Sequence, residues 1–239
     1  MVKSDYLCRA VKFIEQHIEL IDNSDYTQLY KSLSSPFDHS IIPFVTMILY
    51  QIGVDPLQHL VTVPSFYLTK VQNVSCVTIP ENIKVIEDHA CTHAGIQTLN
   101  LTHATNLDTI GCNAFTHCYQ LTSVMIPDNV RYLNAECFLN CTNLTTVKLP
   151  ADIRQIGTRA FFGCKNLRTI IYPKNKKDWN HLYKGLQAFG ECDQITVKCA
   201  DGEILLPCDF AVMQHARKVD ANWIVSRTYE LNELSLPKA

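Results

Sequence analysis

The residues best suited to chemistry are histidines and cysteines near the middle of the chain. His89-x-x-x-His93 with Cys91 between them puts three metal donors within five residues, and His117 follows one repeat unit later. Zinc uses such donors, but a structural site needs four of them, closely paired and fixed in a tetrahedron. Two histidines and one cysteine fall short of that, and solvent-exposed histidines on turns are the simpler reading. Cys192, Cys199 and Cys208 form a second, weaker cluster whose spacing matches no Cys-x-x-Cys arrangement, so packing or chance accounts for them. Nucleophilic catalysis needs a Cys or Ser beside a His and an acid, a constellation that is spatial rather than sequential. No Gly-x-Ser-x-Gly, phosphate-cradling loop or dinucleotide fingerprint occurs, and eight glycines leave little room for one. The expectation is therefore a protein without catalytic residues, cofactor or metal.

The elements that carry these residues repeat. Leu121-Thr-Ser-Val-Met-Ile-Pro127, Leu144-Thr-Thr-Val-Lys-Leu-Pro150 and Leu167-Arg-Thr-Ile-Ile-Tyr-Pro173 align without gaps at a period of 23. Val74-Ser-Cys-Val-Thr-Ile-Pro80 and Ile96-Gln-Thr-Leu-Asn-Leu-Thr102 are the same segment at intervals of 22 and 25, the longer one caused by two extra residues between Leu101 and Leu107. A second half repeats with it: Leu107-x-x-Ile110-Gly-x-x-Ala114-Phe115-x-x-Cys118, then Val130 to Cys141, then Ile153 to Cys164. Ile83 to Ala94 is the most degenerate copy, with Glu87 at the glycine position. The Val124/Ile126 alternation is a short strand with its apolar side chains inward, and Pro127 ends it because proline donates no ladder hydrogen bond. One unit cannot bury its own face, whereas stacked units form a continuous core. Cys118, Cys141 and Cys164 then stack at one position on successive coils, where small apolar thiols suit a tight interior.

The combination of a strand-Pro segment with Ile-Gly-x-x-Ala-Phe-x-x-Cys closely resembles the BspA-type (treponemal-type) leucine-rich repeats, over about residues 74 to 206. That resemblance implies a solenoid and a role in interaction, without naming a target. Lys174 to Leu182 and Ile195 to Ile204 look like the closing segment that follows such repeats, with Trp179 over the end of the core and Asp201-Gly202 turning a hairpin. Val54-Asp-Pro-Leu-x-x-Leu60, leading through Val63-Pro64, is similar to repeat proteins carried by bacteriophages and gut bacteria.

The expected fold is α+β: a short leucine-rich-repeat solenoid of period about 23, with about four full coils and a fifth strand. It divides into a helical N-terminal cap domain (1–63), the solenoid (64–173), a closing segment with a β-hairpin (174–206) and a C-terminal tail of packed helix or strand (207–239). In the cap domain, three- and four-residue apolar spacing over 4–22 reads as one amphipathic helix. Asp22 to Asp25 end it and cap a helix from Tyr26 to Leu33, and Ile41 to Ile52 reads as a short buried helix with Pro43 near its start.

Net charge of −2 with 18% charged residues gives no electrostatic footprint for nucleic acid or anionic lipid. No apolar run approaches the length of a membrane span, and the N-terminus lacks a secretory signal, so a cytoplasmic location is expected, that of the host if phage-encoded. Eleven cysteines, an odd number, are read as free thiols. If the chain binds a partner, the outward strand positions are the natural surface. One row is Thr78, Asn100, Met125, Lys148 and Ile171, and a second is Cys76, Thr98, Ser123, Thr146 and Thr169. The first row's mixture suits a protein partner. His103, in the insertion, marks where the surface departs most from repetition and joins that row as a candidate. The leading expectation is thus a non-catalytic protein-interaction scaffold, with a phage-encoded protein acting on a host protein as its narrower form; the alternatives are a structural subunit of an assembly such as a virion and, behind it, a metal-dependent enzyme.

Overall fold

The structure is a computed structural model that describes residues 2–33, 39–72 and 74–206. The expected helix or strand in 207–239 lies outside the described residues. The N-terminal part is helical: α1 (Val2–Gln16), α2 (Ile18–Asp22), α3 (Tyr26–Leu33) and α4 (Ile42–Gln51). The single helix expected over 4–22 is broken at His17, whose backbone leaves helical angles (φ −122°, ψ 23°) and whose ring Nδ1 lies 2.9 Å from the Phe13 carbonyl oxygen. The Tyr30 and Thr46 hydroxyls, 2.7 Å apart, tie α3 to α4, and those of Tyr50 and Tyr67, 3.0 Å apart, dock this region on the first coil. Tyr67 belongs to the first coil and is fully buried. Asn82 adds a second tie, its amide donating to the Leu57 and Leu60 carbonyls.

Two walls of parallel strands stack along the solenoid. The first is continuous: β1 (Thr62–Val63), β3 (Val85–Ile86), β5 (Thr109–Ile110), β7 (Tyr132–Leu133), β9 (Gln155–Ile156) and β11 (Tyr183–Lys184). The second has β2 (Cys76–Thr78) paired with β4 (Thr98–Asn100). A separate sheet of β6 (Ser123–Met125), β8 (Thr146–Lys148), β10 (Thr169–Ile171), β12 (Ile195–Cys199) and antiparallel β13 (Gly202–Leu206) completes it. Six coils therefore replace the expected four and a fifth strand. Leu60-x-x-Val63 to Tyr67-Leu68-x-x-Val71 is the added first coil, and Leu182-x-Lys184-Gly185-x-x-Ala188-Phe189-x-x-Cys192 the added last one. The last repeat is displaced in sequence because a short helix, α5 (Lys176–His181), is inserted before it.

The interior consists of columns. Phe115, Phe138, Phe161 and Phe189 stack with centroids 5.3, 5.4 and 5.5 Å apart and nearly parallel planes. Trp179 of α5 lies 6.1 Å from Phe189 and 5.6 Å from Tyr172, 1% exposed. Beside the rings runs a thiol column in which Cys118 donates to the Cys91 carbonyl, Cys141 to Phe115, Cys164 to Phe138 and Cys192 to Phe161, at 3.1–3.2 Å. Each buried thiol thereby finds an acceptor, a turn carbonyl of the preceding coil that also accepts the amide three residues on. The glycine of the motif has a steric cause: a Cβ on Gly157 would stand 2.6 Å from the Asn134 backbone of the neighbouring coil. Glu87, at the same place in the degenerate copy, serves as a bolt to the first coil, its carboxylate accepting from Thr62 Oγ1 and from the Ser65 amide and hydroxyl.

Candidate functional site

Each Ala-Phe-x-x-Cys turn carries two residues with positive φ, and these too form columns. His89 (φ 60°) and Asn113 (φ 56°) share one; His93 (φ 59°), His117 (φ 60°), Asn140 (φ 55°) and Gly163 (φ 71°) share the other. The left-handed conformation aims these side chains away from the core, so the histidines are turn residues with outward rings, while Cys91 between His89 and His93 points inward and is 1% exposed. The His93 and His117 rings stack at 4.3 Å and 17°, and the Tyr119 hydroxyl lies 2.9 Å from His117 Nδ1. His89 instead stacks on Phe66 at 5.7 Å. The structure thus brings His93 and His117 together and separates both from Cys91. Among the described residues no three His, Cys, Asp or Glu side chains converge as a metal site would require. Of the second cysteine cluster, Cys192 belongs to the thiol column, Cys199 is half-buried on β12, and Cys208 lies outside the described residues.

The buried thiols are also poor nucleophiles. Burial pushes Cys118 up to about 12 and raises Cys91, Cys137 and Cys141 well above an ordinary thiol. A thiol held neutral at physiological pH neither attacks nor ligates. Burial also pulls the Lys184 ammonium down to about 8, but its Nζ donates to the Trp179 and Leu182 carbonyls at 2.6 and 2.7 Å and lies 4.8 Å over the Trp179 ring. Those contacts make it a cap for the C-terminal end of α5 and favour its charged form.

The feature that breaks the regular surface lies on the second wall. Across the other junctions of that wall one amide past each strand bonds to the next coil: Ile79 to the Asn100 carbonyl, Ile126 to Lys148, Leu149 to Ile171 and Tyr172 to Lys198, each at 2.9 Å. Between β4 and β6 the equivalent bond, Leu101 N–H to the Met125 carbonyl, is absent among the described residues, and no ladder joins these strands. The break coincides with the coil that carries the two extra residues and lacks proline. There the Thr102 amide turns back to the Asn100 side chain (3.0 Å) and the Asn106 amide reaches across to the Glu81 carbonyl (2.8 Å). Because the opposite wall remains continuous, the separation opens a cleft of about 530 Å³ on one side of the solenoid.

Its lining combines the buried apolar Leu99, Leu101 and Ile126 with a polar rim of Thr98, Asn100, Thr102, Thr105, Ser123, Asp128, Asn129 and Lys148. Met125 stands at its edge, 64% exposed. Of the residues expected from sequence, the structure gathers Asn100, Met125 and Lys148 at the cleft. Thr78 lies on β2 beyond Asn100, and Ile171 on β10 beyond Lys148, in register with both neighbours. His103 is exposed on the inserted loop but does not line the cleft. Thr102, Thr105, Asp128 and Asn129 were not among the expected residues; the lengthened interval after Leu101 was a signal for the first two, whereas Asp128 and Asn129 stand in a connector of regular length.

Residues 61–196 match, in six copies, the family described as the BspA type leucine rich repeat region. Among solved structures, the chain is similar to the pneumococcal vaccine antigen PcpA, at 18% identity and TM-score 0.42 over 55% of this chain and 34% of that one. It is similar to a Treponema pallidum leucine rich repeat protein at 19% identity and TM-score 0.36, over 51% of this chain and 70% of that one. A Bacteroides ovatus leucine-rich repeat protein is 22% identical with TM-score 0.37, over 48% of this chain and 36% of that one. The chain thus spans about a third of the length of the pneumococcal and Bacteroides proteins. No curated protein matches the sequence.

Proposed function

Because the matched repeats cover more than half of its length, the chain belongs to the BspA-type leucine-rich repeat family, and from that premise we propose that it is a non-catalytic scaffold that binds a protein partner at the broken wall. Repeat proteins of this kind generally serve as interaction or surface scaffolds. The carrying observation is the cleft between β4 and β6. Among the described residues it leaves the Leu101 N–H and the Met125 carbonyl without the coil-to-coil bond that the other junctions of that wall make, beside an apolar floor. An extended segment of a partner satisfies such groups by its own main chain, with one apolar side chain placed against Leu101, Ile126 and Met125. Thr78, Ile171 and His103 flank the cleft and belong to the same reading as peripheral contacts.

A cytoplasmic location is part of the proposal, supported by the free state of all ten cysteines among the described residues, including the exposed Cys8 and Cys76. Among the described residues no helix is long and apolar enough to cross a membrane. The narrower reading, a phage-encoded protein acting on a host protein, is supported by the resemblance of the Val54 to Leu60 segment.

Panning a random peptide library against the immobilised protein tests the site. The expected result is a family of enriched peptides that lose at least about tenfold in affinity for the Met125→Ser/Lys148→Ser double variant. Both side chains lie on a solvated face, so the melting temperature should stay the same. Peptides that bind both proteins equally would place recognition elsewhere on the molecule.

A further inference from the structure

The lining of the cleft holds two charges, Asp128 and Lys148, and their surroundings differ. Lys148 ends β8 in register with Met125 of β6, so the two side chains leave the same face of the sheet about 4.8 Å apart. Lys148 is half-buried, whereas Asp128 is exposed in the connector after Pro127. Among the described residues neither side chain forms an ion pair or a hydrogen bond, although Arg159, Arg168 and Lys174 elsewhere on the coils each hold a carboxylate. Asn100, on the opposite bank, adds a donor. Its side-chain oxygen accepts the Thr102 amide at 3.0 Å, and because a backbone N–H can bond only the oxygen, the Nδ2 amide is the group left to face a ligand.

The difference in burial decides which sign a partner reads. A pair formed with the exposed Asp128 is worth little, because water and salt screen it. A carboxylate brought to Lys148 meets an ammonium beside Met125 and the apolar floor, where the bound partner excludes water and the hydrogen bond is charge-assisted. Asp128 meanwhile repels a second acid at the connector end of the cleft. We propose, resting on the reading of the cleft as a peptide site, that it selects an acidic segment. One Asp or Glu side chain of the partner gives its carboxylate to the Lys148 ammonium, with Asn100 Nδ2 as a further donor, next to the apolar side chain seated on Leu101 and Ile126. The occupant is thus an extended peptide with a single acid beside its apolar anchor, and a segment with a basic residue there is rejected by Lys148.

Panning the peptide library in parallel on the unaltered chain and on Lys148→Glu tests this, with the selected peptides then synthesised with amidated C-termini so that only a side chain supplies a carboxylate. On the unaltered chain the enriched peptides should carry Asp or Glu beside an apolar residue. Replacing that acid by its amide should lower affinity about tenfold, the size of one charge-assisted hydrogen bond at a partly buried group. Lys148→Glu should lose the acidic peptide by at least as much and prefer the version with Lys in place of the acid. The uncharged Lys148→Gln should bind the acidic and amide versions alike, and it carries the test if Lys148→Glu does not fold. Peptides that need Met125 yet bind Lys148→Gln as tightly as the unaltered chain overturn the acidic preference and leave the cleft as the peptide site. Enriched basic peptides that are weakened by Asp128→Asn overturn it as well, by giving the selection to the other charge. Peptides indifferent to Met125→Ser remove the reading of the cleft and this inference with it.

Discussion

The coils from Leu107 to Pro173 and the coils from Ile83 to Asn106 share one continuous wall and differ on the other. In the regular stretch the main interior columns repeat their residue type, a phenylalanine ring, a cysteine thiol and a short strand with one inward aliphatic, with Cys137 replacing the alanine in one turn. In the irregular stretch Cys91 stands where the ring belongs, Ala94 where the thiol belongs and Glu87 where the glycine belongs, and the second wall parts at the next coil. The difference shows why a solenoid can carry a departure from its pattern without unfolding. Coil-to-coil bonding is distributed over two walls and a turn, so one wall can open while the other two sets of hydrogen bonds hold the stack. Function is most easily grafted where this redundancy leaves a break.

The largest effect should come from breaking the regular half at its centre. Phe138 is fully buried between two parallel rings, so Phe138→Ala removes contacts on both faces and leaves a cavity costing about 3–5 kcal/mol. Phe189→Ala, at the partly covered end of the same column, should cost well under that. Urea unfolding of the two variants ranks them, and equal losses would mean that the column is not the unit of stability.

The regular half was also the part most legible in the sequence. Val124, Val147 and Ile170 face inward as their alternation requires, and Cys118, Cys141 and Cys164 stack at one position because their spacing equals the coil. The terminal coils were hidden for a physical reason. Tyr67-Leu68-x-x-Val71 keeps the shape of the motif while exchanging its residue types to meet the helical region, and α5 delays the last copy. The candidate surface was half legible: alignment gives the row containing Asn100, Met125 and Lys148, and the lengthened interval marks the coil. The parting of the strands depends on backbone separation, which no residue type encodes, and Asp128 and Asn129 become cleft residues only through it.

An exchange of connectors would sharpen the comparison further, with a smaller effect on stability and a larger one on binding. The regular coil passes from Ile126 to Val130 through Pro127-Asp128-Asn129, whereas Leu101 reaches Leu107 through residues 102–106. Replacing 102–106 by Pro-Asp-Asn should let Leu101 N–H reach the Met125 carbonyl and close the cleft. Stability should change by no more than about 1 kcal/mol, since a lost Asn106 bond is offset by a gained backbone bond. Cleft-dependent peptides selected on the unaltered protein should lose binding altogether; retained affinity would separate recognition from the break.

The smallest effect concerns the histidine pair at the boundary of the two stretches, His93 in the irregular one and His117 in the first regular coil. The His117 pKa is lowered in the folded protein, first by burial and then by the charge of the stacked His93. Above the unfolded value, near 6.5, both states are neutral and the group contributes no pH dependence. As pH falls through that value the unfolded chain takes a proton before the folded one, so stability declines until the lower folded pKa has been passed. His117→Asn should remove this part of the decline, and it keeps the left-handed turn, because Asn140 holds the same conformation one coil later. Comparing urea midpoints at about pH 7.5 and pH 5 for both proteins checks it, and equal shifts would show that the ring stack is a passive consequence of the turn column. The regular half has no such pair at the corresponding position, where Asn140 and Gly163 stand. Any pH response of this kind is therefore confined to the coils beside the broken wall.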